Sequence, residues 1–316
     1  MLRYRRAAAP VACKPPIGFS CWSSVAFRIE TRKPLPREIR RIARRELKKA
    51  RAAANLQEPL GEHVHDIRTA MKKVRALNRL VRPAVGQHAR RADDRLREIA
   101  HSVSPLRDAE VVLATFDRAT GPSRAALAGV RAQLAAHLRA EAHAMEGDER
   151  SQRLRDDLAR ERRKVEAWMP KANRWSAIDE GLTRAYRRAR DAMEAAYRSE
   201  SGDAFHAWRR AVKTHRHQLA ALKEIAPGRM KARVDELDRL GELLGDEHDL
   251  TVLEAAICGA RTRLPDPGQA DRLLQTITNR KRQLRRRARP LGKRVFAEPP
   301  AAFRDRLRRD FRAARS

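Results

Sequence analysis

Aromatic side chains make up only 4% of this 316-residue chain, and β-branched residues are also sparse. No stretch of five or more positions alternates apolar with polar side chains, so strands are not the expected element. Glycine and proline are few, 14 and 16 in all, which leaves long uninterrupted segments. The three cysteines, Cys13, Cys21 and Cys258, are an odd number at spacings that suit neither a disulfide framework nor a zinc site. A reducing compartment, the cytoplasm, is the expectation. No apolar run reaches the roughly 18 residues that would cross a bilayer. A Gly-rich phosphate loop, G-x-S-x-G and H-E-x-x-H are all missing, as are paired carboxylates beside the basic segments described below. No catalytic residue, metal or cofactor is therefore expected.

Acidic side chains are scarce relative to basic ones: 40 Asp plus Glu face 71 Lys plus Arg, a formal net charge of +31. Such an excess repels itself unless an anion neutralises it, so the expected partner is a polyanion. What fills the chain instead is Ala, Leu, Arg and Glu, the composition of helix bundles. From Pro36 onward, Ile39, Ile42, Ala43, Leu47, Ala50 and Ala54 recur at three-and-four spacing, and helix follows helix. Breaks are expected at Pro59 to Gly61, Pro83 to Gly86, Ser104-Pro105, Gly121-Pro122, Pro170 to Trp175, Ser201-Gly202, Pro227-Gly228, Gly245, Pro265 to Gly268 and Glu298 to Pro300. Arg3, Arg5 and Arg6 precede a small-residue stretch like that of a signal peptide, but Pro10, Lys14, Pro15 and Pro16 interrupt it. Residues 1–33 are read as a flexible basic extension, or as a start assigned too far upstream, and 34–316 as the domain.

The chain repeats itself. His65, Arg68, Lys72 and Arg75 stand at the same mutual offsets as His206, Arg209, Lys213 and Arg216, a shift of 141 positions. At that shift Asp108 falls on Asp249, Val111 on Val252, Leu96 on Leu237, Arg90 on Lys231 and Lys49 on Arg190. Two similar helical halves, about 34–170 and 171–316, are the simplest account.

Offsets of 0, 3, 7 and 10 fall on one helical stripe, which is normally apolar. Here His65, Arg68, Lys72, Arg75 and Arg79 occupy it, with Val64, Ile67, Met71, Val74 and Leu77 on another face. The second copy sets His206, Arg209, Lys213 and Arg216 against Phe205, Trp208, Val212, Leu219 and Leu222. Each helix thus buries one face and presents a cationic ridge whose members rise about 5 Å from one to the next. Guanidinium forks and ammonium groups at that pitch suit a chain of phosphates read without fixed register. Basic runs on helices are commonly just solvated faces; the agreement between halves is what singles these two out. A metal at His65 or His206 is disfavoured, because neighbouring Arg and Lys repel a cation. Asp108, in Leu106-Arg107-Asp108, and Asp249, in Glu247-His248-Asp249, are each expected at a helix start. They either complement the helix dipole or orient a ridge side chain.

These motifs resemble the CHAD domain, the conserved histidine α-helical domain. The resemblance rests on His65-Asp66-Ile67-Arg68 through Arg75, His206 through Arg216, Leu106-Arg107-Asp108 and Leu243 through Leu250. Gly181-Leu182 through Arg190 and Phe27 to Pro36 also carry it, and it covers the chain from about residue 34 onward. It implies an all-α fold of two antiparallel four-helix bundles related by a pseudo-twofold axis around a basic groove or pore. It also implies inorganic polyphosphate as partner and association with polyphosphate granules. Binding residues carried over are His65, Arg68, Lys72, Arg75 and Arg79 with His206, Arg209, Lys213 and Arg216. Lys49, Lys73, Arg107, Arg190 and His248 are further candidates, and Asp108 and Asp249 have orienting roles. Thr214 replaces Lys73 and Ala220 replaces Arg79 in the second ridge, which is therefore shorter. The rival functions are non-sequence-specific nucleic-acid binding, which the charge allows at low salt, and a metal-dependent phosphohydrolase. Against the first, the ridges present no aromatic for base stacking.

Overall fold

The computed structural model describes residues 27–54, 60–121, 127–145, 148–260 and 267–316, and among these it holds helices and no strand. Leu35–Ala53 forms α1, entered through Pro34 with a second proline in its first turn. There the missing N–H has no intrahelical partner to lose. Its residues Leu35, Ile39, Ile42, Ala43, Leu47 and Ala50 form the buried stripe read from the sequence. The chain continues through α2 (Leu60–Val85), α3 (Gln87–Ser102), α4 (Ser104–Thr120), α5 (Ala128–Met145) and α6 (Asp148–Arg163). Short 3-10 turns at Lys164–Trp168 and Trp175–Ala177 lead to α7 (Asp179–Ser199). Then come α8 (Gly202–Ala221), α9 (Pro227–Ala260), α10 (Pro267–Val295) and α11 (Pro300–Ala313).

One expected break, Gly245, falls inside a helix, while the break expected at Pro83 to Gly86 comes at its far end. Pro83 lies within α2, which runs on to Val85 and turns at Gly86, whose φ of 75° suits glycine. Gly245 lies inside α9, unbroken from 227 to 260. At the 141-position shift α9 corresponds to α3 and α4 together. The first half breaks at Val103, with Pro105 in the first turn of α4, whereas the second half has no proline there and continues as one helix.

Packing runs α1 on α2 on α3 in the first half and α7 on α8 on α9 in the second. The halves meet where α2 lies against α7 and α8 and where α4 lies against α9. The approach of α7 to α2 is close enough that a Cβ at Gly181 would stand 1.9 Å from the Leu80 carbonyl oxygen. Gln218 adds a buried hydrogen bond across the same seam, donating to the Ala76 carbonyl at 3.2 Å. The main apolar core draws on both halves, from Phe27 to Phe311, and a smaller one joins α4 and α5 to α9 and α10 through Phe116, Leu253 and Ile277. Tyr186 is stacked on Phe303 with ring centroids 4.1 Å apart, and its hydroxyl donates to the Glu298 carbonyl.

The boundary set after residue 33 moves upstream. Ile29 is 1% exposed and its N–H donates to the Ala221 carbonyl at 2.7 Å, while Arg28 pairs with Glu224 at 2.9 Å. Residues 27–33 therefore belong to the domain, held by an apolar anchor that a reading for basic character passes over. The rest of the expected extension, 1–26, lies outside the described residues.

Candidate functional site

The α2 and α8 helices lie side by side, and their apolar faces fix how each is rotated. Val64, Ile67, Met71 and Val74 of α2 are fully buried, as are Phe205, Trp208 and Val212 of α8. With those faces committed to the core, both ridges turn toward one region that α4 and α9 also reach. Arg68 donates to the Asp108 carboxylate and to the Ser104 carbonyl of α4, both at 3.0 Å. His206 of α8 and His248 of α9 meet with their Nδ1 atoms 3.0 Å apart.

The charges of the two ridges act on each other. Lys72 keeps an open edge to solvent. Even so, the helix walls desolvate its ammonium, and Arg68, Arg209 and Arg107 repel it, so its pKa falls to about 8. Lys213 falls further, to about 7, through desolvation and the charges of Arg209 and Lys72. Arg209 is desolvated beside Asp249 and Arg68, and its Nε has no hydrogen-bond partner. Among the described residues no carboxylate comes within ion-pair distance of Lys72, Arg209 or Lys213. Desolvation, then the charges of Arg107 and Lys72, lowers the pKa of His65. Desolvation, then Arg209, drives His248 down to about 3, so it stays neutral where anions would be met.

The outer ends of the ridges are anchored differently. Arg75 and Arg79 both reach the buried Asp93 of α3, through Nε at 2.8 and 3.1 Å. Arg79 also reaches across to the Thr214 hydroxyl of α8 at 3.3 Å. Arg216 is held by Asp238 of α9 at 2.7 Å. Thus Arg68, Lys72, Arg209 and Lys213 form the electrostatic centre with His65, Arg107, His206 and His248 around it, and Arg75, Arg79 and Arg216 are tied to carboxylates at its margin.

Asp108 and Asp249 do not share one setting. Asp108 lies near the start of α4 and pairs with Arg68 at 3.0 Å. Asp249 lies deep within α9, so dipole compensation at a helix start does not apply to it. Burial raises its pKa while Arg209 and Lys213 oppose the shift. The remaining candidates have ion pairs elsewhere: Lys49 and Lys73 with the buried Glu46 at 3.4 and 3.3 Å, Arg190 with Glu194 at 3.8 Å. Lys73 also sits over the Phe27 ring. Among the described residues no three His, Cys, Asp or Glu side chains gather as a metal ion would need.

The sequence model of the CHAD domain matches residues 41–258, a span that contains both ridges, α4 and nearly all of α9. The chain belongs to the CHAD domain family. The crystal structure of the CHAD domain from the plant Ricinus communis resembles it with a TM-score of 0.57 at 16% identity. That likeness covers 91% of this chain and 95% of the plant domain, and at such identity it speaks for the fold alone. No curated protein matches the chain. Within the CHAD fold, Lys72, Arg209 and Lys213 sit without a carboxylate partner among the described residues where α2 and α8 of the two halves converge.

Proposed function

We propose that this CHAD protein is a non-catalytic binder of inorganic polyphosphate, which it holds along the paired α2 and α8 ridges. One observation carries the reading: Arg68, Lys72, Arg209 and Lys213, drawn from both halves, gather in one place where desolvation by the helix walls, and then the neighbouring cations, depress both lysine pKa values. A cluster that repels itself in the free protein is relieved when an anion enters it. Arginine forks supply bidentate phosphate contacts and the lysines add point charges, so a repeating phosphate chain satisfies all four without a fixed register. Membership in a family linked to polyphosphate binding supports the choice of polymer. In the same reading the halves form two four-helix units related by a pseudo-twofold axis, the cluster lies in the groove between them, and the protein works in the cytoplasm at polyphosphate granules.

The test is calorimetric titration at physiological salt with long-chain polyphosphate, duplex DNA and single-stranded RNA, for the wild type and for Arg68→Glu combined with Arg209→Glu. Polyphosphate is expected to bind far more tightly than either nucleic acid, and the double reversal to remove that binding. Equal affinity for nucleic acid would point to general charge attraction. Binding as tight as wild type after the reversals would place the site elsewhere.

A further inference from the structure

A second cationic surface lies on α10. Arg282, Arg286, Arg289 and Lys293 stand at offsets 0, 4, 7 and 11, one helical face, and all four are exposed. At about 1.5 Å rise per residue the strip is roughly 16 Å long. On the other side of the helix Leu284, Ala288 and Val295 are buried. Three neighbouring basic residues have carboxylate partners: Lys281 reaches Glu254 at 2.6 Å, Arg285 reaches Glu247 at 2.6 Å and Arg294 reaches Glu236 at 2.7 Å. Among the described residues the four strip cations have none. Those three carboxylates are thus taken up by the flanks of α10, and the one beside the strip, Glu194, pairs with Arg190 of α7 at 3.8 Å.

The strip also has relief. Arg289 and Lys293, with Arg198 of α7, line a hollow of about 370 Å³ that also includes Met193, Tyr197 and one carboxylate, Glu194. The Arg289 guanidinium lies 5.1 Å from the Tyr197 ring centre, and the Tyr197 hydroxyl is fixed by donating to the Arg285 carbonyl at 2.7 Å. This surface is distinct from the ridges. Between them stand the buried Phe205 and Trp208 of α8, with Tyr197 packed on both rings. Trp208 lies against α10 at Gly292, where an added Cβ would stand 2.7 Å from its ring.

We propose that the α10 strip, with the hollow between α7 and α10, is a second polyanion site, so that one molecule holds two phosphate chains, or two segments of one, and cross-links them. The ligand class rests on the polyphosphate reading of the ridges; the strip itself rests on its own geometry. Two separate sites on a rigid body turn a binder into a bridge, because the second capture is governed by local rather than bulk concentration.

The experiment compares four proteins with long-chain polyphosphate at physiological salt: wild type, ridge-reversed (Arg68→Glu with Arg209→Glu), strip-reversed (Arg286→Glu with Lys293→Glu), and a charge control (Arg162→Glu with Arg163→Glu). Calorimetry reads affinity and stoichiometry, light scattering reads cross-linking, and circular dichroism checks the fold. The strip-reversed protein is expected to keep the tight binding event and to lose scattering at least about tenfold. The ridge-reversed protein should keep only weak, salt-sensitive binding, and the control should behave as wild type. Scattering by the strip-reversed protein equal to wild type at equal saturation overturns the second site, as does an equal loss in the control. If instead ridge reversal changes nothing while strip reversal removes binding and scattering together, the strip stands as a site and the ridge reading falls. If polyphosphate does not bind the wild type, both fall.

Discussion

Lys213 and Lys72 set the acid–base behaviour of the cluster at the scale of single residues. Their pKa values in the folded protein, about 7 and about 8, lie below the usual lysine value of 10.5. The unfolded chain therefore binds more protons than the native one between those values, and their destabilising effect fades as pH rises through that window. An anion reverses the logic, because it favours the charged ammonium and pulls the pKa back up. Polyphosphate binding should accordingly take up protons near neutrality, and affinity should fall as pH rises from about 6.5 to 9. Titration in buffers of differing ionisation enthalpy measures the uptake directly. Lys213→Arg, which keeps its charge throughout, should flatten most of the dependence while preserving affinity at the acid end. Affinity independent of pH in the wild type would show that the two ammonium groups do not meet the ligand. His248, neutral down to about 3 in the free protein, contributes a hydrogen-bonding ring to this behaviour rather than a charge.

Two glycines define what the helices ask of each other. Gly181 brings α7 onto α2, and a Cβ there would meet the Leu80 carbonyl oxygen at 1.9 Å and the Arg79 carbonyl oxygen at 2.9 Å. Backbone cannot yield as a side-chain tip does, so Gly181→Ala should destabilise by about 3 kcal/mol in denaturant unfolding and weaken polyphosphate binding by displacing the ridge. Gly245, inside α9, is the opposite case: an added Cβ would stand 3.8 Å from Arg209 Nε, an ordinary contact. Gly245→Ala should therefore stabilise by about 0.5–1 kcal/mol through helix propensity; a loss instead would mean that Arg209 needs the space. The same residues mark how far the sequence alone could be read. The ridges were legible because identical offsets recur 141 positions apart, and the apolar faces that orient them share the same helices. Gly245 misled because its permissiveness resembles a break, and Asp249 was drawn to a helix start with it. Asp93 and Asp238 were not found, since which carboxylate reaches a ridge arginine depends on the rotation of a neighbouring helix. One signal was present for Asp93, an acidic residue beside Ala92 and Leu96 in the buried stripe of α3. The contact of His206 with His248 spans 42 positions and depends on how α8 and α9 cross, which no local pattern encodes.

For the whole molecule the governing quantity is +31 of net charge on 316 residues. The carboxylates already counted in that figure are committed to particular arginines: Asp93 serves Arg75 and Arg79, Glu247 serves Arg285 and Glu161 serves Arg95, each carboxylate largely buried. Among the described residues, Lys72, Arg209 and Lys213 at the ridge centre and the four strip cations of α10 are among the basic side chains without a carboxylate partner, so part of the stored repulsion sits at these two places. Mobile salt screens exposed charge over roughly 8 Å at physiological strength, so added sodium chloride alone should raise the melting temperature of the free protein. Polyphosphate should raise it further at constant ionic strength, because a ligand that binds only the native state at 100 times its Kd adds about 2.7 kcal/mol. The two contributions separate in one set of thermal melts. Ridge reversal should remove most of the polyphosphate increment and, by relieving the crowding of Arg68 and Arg209 against Lys72 and Lys213, should leave the apo protein less dependent on salt. An apo melting temperature insensitive to salt would mean that repulsion among the excess cations costs the fold little, and stored repulsion would then give no reason to expect an anionic partner.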